Sequence, residues 1–173
     1  MITLSALSVL SMLLIPPADS IGRPALAPVD TEADYRAVLE VGGAGEVARR
    51  GGGASRGATI AVEMTPIEHW LELESGVTQM WNGPARELSV DLLFKKPWQW
   101  TRSVEFMAGL GPQVAWASGG ADHATSVSTE LIADFMFWGS RNVGWYLEPG
   151  FTTSGFHGDQ SFGVSAGLII GLR

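Results

Sequence analysis

The segment from Glu87 to Trp116, ELSVDLLFKKPWQWTRSVEFMAGLGPQVAW, constrains the fold most, because it reads as two alternating runs joined across a Lys-Pro-Trp turn. In the first run Leu88, Val90, Leu92 and Phe94 share one face, and Glu87, Ser89, Asp91 and Lys95 share the other, with Leu93 as the exception. In the second, Val104, Phe106, Ala108, Leu110, Val114 and Trp116 oppose Ser103, Glu105, Met107, Gly109, Gly111 and Gln113. Period-two alternation is the signature of a strand with two chemically different sides. Each run is long enough to cross a hydrocarbon layer when tilted, which takes roughly 9 to 11 residues.

The same pattern recurs along the chain between turn-forming clusters. Strands are expected at Tyr35 to Val47, Gly57 to Thr65, Trp70 to Trp81, Thr129 to Phe137, Val143 to Thr152 and Ser161 to Leu172, in addition to the two of the hairpin. Their polar faces carry Arg36, Glu40, Glu63, Glu72, Glu74, Glu130, Asp134 and Glu148, while Val41, Ile60, Val77, Leu131, Leu147 and Leu168 lie opposite. About eight strands result, an even count that suits an up-and-down antiparallel barrel.

Composition then narrows the solvent. Charged residues make up only 17% of the 173, against 46% hydrophobic and 22 glycines, which describes a sheet protein with one unusual surface. A soluble lipocalin-like barrel would turn the glycine-rich, lysine-poor face to water, where mixed charge is the norm. The seven tryptophans fall near strand ends or in turns, as in the aromatic girdles of membrane barrels. The apolar face is therefore expected outside, against lipid. The absence of cysteine excludes disulfides and thiolate metal sites, and a net charge of −7 argues against nucleic-acid binding, which needs a positive field to displace counterions.

The apolar run Ile2 to Ile15, followed by Pro16-Pro17-Ala18-Asp19, reads as a signal peptide over 1–20, without the basic residues that usually precede one. Residues 21–34, rich in Pro and Ala, read as a flexible periplasmic lead-in, and 35–173 as the barrel. With the N-terminus periplasmic, the turns at Pro66 to His69, Lys95 to Trp100 and Gly139 to Asn142 are periplasmic. The connections Arg49 to Arg56, Trp81 to Arg86, Ala117 to Thr125 and Ser154 to Gln160 then face outward.

The strand series, with Phe137-Trp138, Gly144-Trp145-Tyr146-Leu147-Glu148-Pro149 and Gly163-Val164-Ser165-Ala166-Gly167-Leu168, resembles small bacterial outer-membrane β-barrels of the OmpA-like superfamily. The resemblance covers Tyr35 to Arg173 and rests on pattern rather than on a chemical motif. It implies an all-β, eight-stranded antiparallel up-and-down transmembrane β-barrel in the bacterial outer membrane. The implied partners are outer-membrane lipid and the assembly machinery, and the implied state is monomeric. The chain closes on Leu172-Arg173, where such barrels often end on an aromatic residue.

Two sets of candidate residues follow. The interior polar cluster comprises Arg36, Glu40, Glu63, Glu72, Glu74, Asp91, Lys95, Glu105, Glu130, Asp134 and Glu148. Buried carboxylates are costly, so these must be paired, protonated or hydrated. An eight-stranded barrel is barely wide enough for its own side chains. The cluster thus reads as a plug that fixes the barrel, or as a carboxylate-lined, cation-preferring conduit or ligand cavity. The aromatic girdle comprises Trp70, Trp81, Trp98, Trp100, Trp116, Trp138 and Trp145. His123 and His157, in two outer loops, could hold a metal as a pair, but with no third ligand in sight they read as solvated loop residues. No Gly-x-Ser-x-Gly elbow, phosphate loop or His-Glu-x-x-His occurs, so no cofactor is expected and a lipid-modifying enzyme is the weaker reading. Pro112, beside Gly111, and Pro149, beside Gly150, interrupt the fifth and seventh strands. Weakened pairing is expected on both sides of the sixth, as a curvature-setting bulge or a lateral opening.

Overall fold

The computed structural model describes residues 36–48, 53–119, 124–155 and 158–172. The signal peptide and lead-in, Tyr35, His123, His157 and Arg173 lie outside these described residues. Within them run β1 (Ala37–Ala48), β2 (Ala54–Ile67), β3 (Leu71–Asn82), β4 (Ala85–Thr101), β5 (Val104–Ser118), β6 (Ala124–Trp138), β7 (Val143–Thr153) and β8 (Gln160–Leu172). Each strand pairs antiparallel with the next, and β1 with β8 closes the barrel. Closure leaves no edge strand with unpaired backbone groups, the condition for spanning a membrane with strands.

Alternation sorts the side chains as the sequence implies. Val41, Ile60, Leu92, Phe94, Leu110, Leu131 and Leu168 point outward and are exposed, which leaves a continuous apolar wall facing away from the lumen. An apolar surface of that extent on a single chain marks contact with lipid or a partner. Glu40, Glu63, Glu72, Glu74, Asp91 and Asp134 point inward and are buried. The interior also holds an apolar cluster of Val38, Met107, Met136, Trp138, Tyr146 and Ile169, so the lumen is packed rather than uniformly polar. Inward glycines give its bulkier groups room. A Cβ on Gly109 would lie 2.8 Å from Lys95 Cγ and 3.2 Å from Ile132 Cδ1, and one on Gly42 would collide with the Tyr146 hydroxyl.

One expected turn is absent. β4 runs unbroken from Ala85 to Thr101, so Lys95 to Trp100 is strand, and the reversal into β5 occurs at Arg102-Ser103. Pro97 is tolerated there because the β3–β4 ladder ends at Glu72↔Lys95 while the β4–β5 ladder includes Pro97↔Met107. Beyond the end of β3 the proline needs no N–H on that side. The Pro66 to His69 turn is likewise displaced: β2 continues to Ile67 with a register shift after Met64, and Glu68 to Trp70 form the turn, with His69 at φ 61°.

Pro112 and Pro149 do break pairing. The β6–β7 ladder passes from Ile132↔Gly150 to Phe135↔Leu147, skipping Pro149 and its neighbour without a change of register. At Pro112 the break falls one ladder away from the expected place. β5–β6 is continuous from Val104↔Phe137 to Ala117↔Ala124, whereas β4–β5 jumps from Asp91↔Gln113 to Phe94↔Leu110. A strand residue directs its N–H to one neighbour only, so a proline weakens one ladder and spares the other.

Candidate functional site

The interior cluster is organised by Lys95. Alternation on β4 turns this side chain into the lumen, where it is about 1% exposed. Its ammonium lies 2.9 Å from Asp134 Oδ2 on β6, 3.2 Å from Glu148 Oε2 on β7 and 3.4 Å from Glu63 Oε2 on β2, and it also pairs with Glu74 on β3. One cation therefore ties carboxylates from four other strands across the lumen. Such charge-assisted contacts are short and strong when shielded from water. Glu40, 2% exposed, completes the group without reaching the ammonium, and its Oε1 accepts no hydrogen bond from the protein. Negative charge thus exceeds positive at this level, and the excess must be balanced by protons, water or a cation.

Glu40, Glu63, Glu74 and Asp134 can each offer an oxygen within 4.8 Å of the others, a donor set suited to a hard cation. The Lys95 ammonium is already bound by three of these four, so the protein fills that seat with its own cation.

The Lys95 knot separates two cavities. At the end where β1 begins and β8 ends, a cavity of about 330 Å³ is lined by Glu63, Glu68, Glu72, Lys96, Glu105 and Trp138. Towards the opposite end, one of about 80 Å³ is lined by Glu46, Glu87, Asp91, Glu130, Glu148 and Ser165. The smaller is threaded by hydrogen bonds: Gln113 Nε2 donates to Glu130 Oε2 at 3.1 Å, Ser128 Oγ to Gln113 Oε1 at 3.2 Å, and Ser165 Oγ to Glu148 Oε1 at 3.2 Å. Glu63 faces the larger cavity and Glu74 and Glu148 the smaller, so the knot forms the wall between them.

Of the eleven interior residues read from the sequence, the structure gathers Glu40, Glu63, Glu74, Lys95, Asp134 and Glu148 into the knot. Glu72 and Glu105 line the larger cavity, Asp91 and Glu130 the smaller. Arg36 does not belong: it precedes β1, its N–H still bonds Leu172 O at 2.9 Å, and its side chain is exposed beyond the barrel mouth. The interior cluster read from the sequence left out Tyr146 and Leu93, each 1% exposed inside the barrel. Alternation sets Tyr146 on the same face as Glu148, and Leu93 lies in phase with Asp91 and Lys95 despite its apolar side chain.

No protein-family model matches the sequence, and no curated protein matches it. Solved structures do match. Neisserial surface protein A is 15% identical with a TM-score of 0.63, covering 79% of this chain and 97% of that one. OprG from Pseudomonas aeruginosa is 9% identical with a TM-score of 0.59, covering 82% and 98%. Ail, the attachment invasion locus protein of Yersinia pestis, is 12% identical with a TM-score of 0.58, covering 79% and 98%. The chain has the fold of the small outer-membrane β-barrels. Identities this low carry the likeness of fold and nothing finer.

In this outer-membrane barrel fold the outward tryptophans lie at both ends. Trp70, Trp98, Trp100 and Trp145 are exposed near the end where β1 begins and β8 ends, and Trp81 and Trp116 near the other. Phe137 stacks on Trp145 with centroids 3.9 Å apart, and Trp98 and Trp100 stack on Phe106 at 5.5 and 5.4 Å. Trp138 is not part of this surface. Strand phase puts it inside with Asp134 and Met136, 6% exposed in the apolar cluster; proximity to a strand end suggested a girdle position, but face overrides distance from the end.

Proposed function

We propose that this protein is an integral outer-membrane barrel with a structural or envelope-associated role, its lumen sealed by the Lys95 knot, and that it is not an enzyme. The observation that carries this reading is the fully buried Lys95 side chain, bonded to carboxylates of β2, β3, β6 and β7. A group tied to four strands across an eight-stranded lumen occupies the space a pore would need. The outward apolar wall, rimmed by tryptophan at both ends, supports placement in a bilayer. The fold shared with Neisserial surface protein A, Ail and OprG supports the outer membrane as that bilayer. Lipid and the assembly machinery are the partners this placement requires, and a monomer suffices because the barrel closes on itself.

The test is fractionation of cells expressing the full chain, followed by electrophoresis of boiled and unboiled samples. Recovery in the outer-membrane fraction with a migration shift on boiling supports the reading. A soluble protein whose migration does not change on boiling would refute it.

A further inference from the structure

We propose that the lipid-facing rim at the barrel end where β1 ends and β8 begins binds the anionic phosphate headgroup of a membrane lipid, through Arg56, Trp81 and Arg86. The proposal rests on the membrane placement argued above and adds a ligand to one part of its surface.

Register puts the three residues side by side. Arg56 on β2 pairs directly with Trp81 on β3, which pairs directly with Arg86 on β4. All three lie in the outward phase of their strands and are exposed. Adjacent strands lie about 4.8 Å apart, so the two arginine backbones are roughly 10 Å from each other, close enough for both guanidinium groups to converge over the indole between them. Among the described residues neither guanidinium has a hydrogen bond or an ion pair. Each guanidinium presents five N–H donors in a fork that matches phosphate oxygens.

The surroundings select an anion. No carboxylate occupies the outward face of β2, β3, β4 or β5, because Glu63, Glu72, Glu74, Glu87, Asp91 and Glu105 all fall in the inward phase. Charge is thus segregated, with acids inside and these arginines outside. Gly45, paired with Arg56 on the other side, leaves the wall beside it bare. Next to Arg86 a surface hollow of about 430 Å³ is lined by Leu88, Trp116 and Gln79, an amphipathic seat for the body of a lipid whose headgroup reaches the arginines. Trp81 and Trp116 mark this level as a membrane–water interface, where lipid phosphates lie. A membrane lipid, held in the plane of the rim, is therefore the occupant.

The full chain is reconstituted in phosphatidylcholine nanodiscs containing a minor share of phosphatidylglycerol or of lipid A, and retained lipid is read by native mass spectrometry after release. The wild type should retain the anionic lipid at least about tenfold better than Arg56→Gln/Arg86→Gln, the loss expected when two charged hydrogen-bond donors are removed. Lys96→Gln, at the other end of the barrel, should retain it as the wild type does. Boiled and unboiled samples of every variant establish folding. Equal retention by folded wild type and folded double variant would overturn the proposal, as would displacement by inorganic phosphate at the concentration of the lipid, which would make the site one for a free anion. Failure of the wild type itself to fold in nanodiscs would overturn the membrane placement instead.

Discussion

The Lys95 ammonium lies 2.9 Å from the Asp134 carboxylate, and neither side chain is exposed to solvent. The two residues are 39 positions apart in sequence and meet only because the barrel closes. The lysine cannot be removed without leaving Asp134, Glu74, Glu63 and Glu148 uncompensated.

Lys95→Met should therefore destabilise the folded barrel by about 3 to 5 kcal/mol, the usual consequence of deleting one partner of a buried pair. Adding Glu74→Gln and Asp134→Asn should restore part of that loss by removing the stranded charge. Urea titration from lipid vesicles measures both. A Lys95→Met barrel as stable as the wild type would show that the knot does not hold the lumen together.

The outward wall makes a second expectation. Leu92→Arg and Leu131→Arg, each near the middle of an outward face, should cost about 2 to 4 kcal/mol in the same titration. Thr78→Arg should be far milder, because Thr78 faces the smaller cavity among Glu46, Glu87 and Glu130. Equal losses at all three positions would contradict the assignment of faces.

Much of this was legible in the sequence, because period two decides which side of a strand a residue takes. Glu40, Glu63, Glu72, Glu74, Asp91 and Asp134 were all placed inside from alternation alone, as the burial of each shows. Local chemistry misled where tertiary context overrode it. Lys96-Pro97-Trp98 has the composition of a turn, yet β4 outruns β3 there and the proline meets no β3 partner that would need its N–H. Arg36 follows the right phase but lies before the first strand. The Lys95 partners could not be chosen from a list of inward acids, because strand stagger around a closed barrel decides which side chains share a level.

The ladder breaks predict local exchange. Amide protons at Leu92 and Ala133, which face Pro112 and Pro149 across the skipped pairs, should exchange faster than those in the unbroken β5–β6 ladder, such as Glu130. Pro112→Ala restores an N–H and should slow exchange at the β4–β5 break. Hydrogen exchange on the reconstituted barrel reads both, and uniform protection across β4 to β7 would mean that the strands pair without interruption.

Trp138 separates interior from surface. Trp138→Ala should cost about 3 to 5 kcal/mol, as for a large side chain removed from a packed core, whereas Trp100→Ala, at a position 62% exposed, should cost markedly less. Urea titration of the two variants side by side distinguishes them; comparable losses would put both tryptophans in the same environment.

The sealed lumen is tested most directly by conductance of the purified, refolded barrel in planar bilayers. The wild type, with the Lys95 knot walling the two cavities off from each other, should give no discrete current steps at any holding potential the bilayer survives. Regular, cation-selective steps from the wild type would show an open path through the carboxylates and contradict the account.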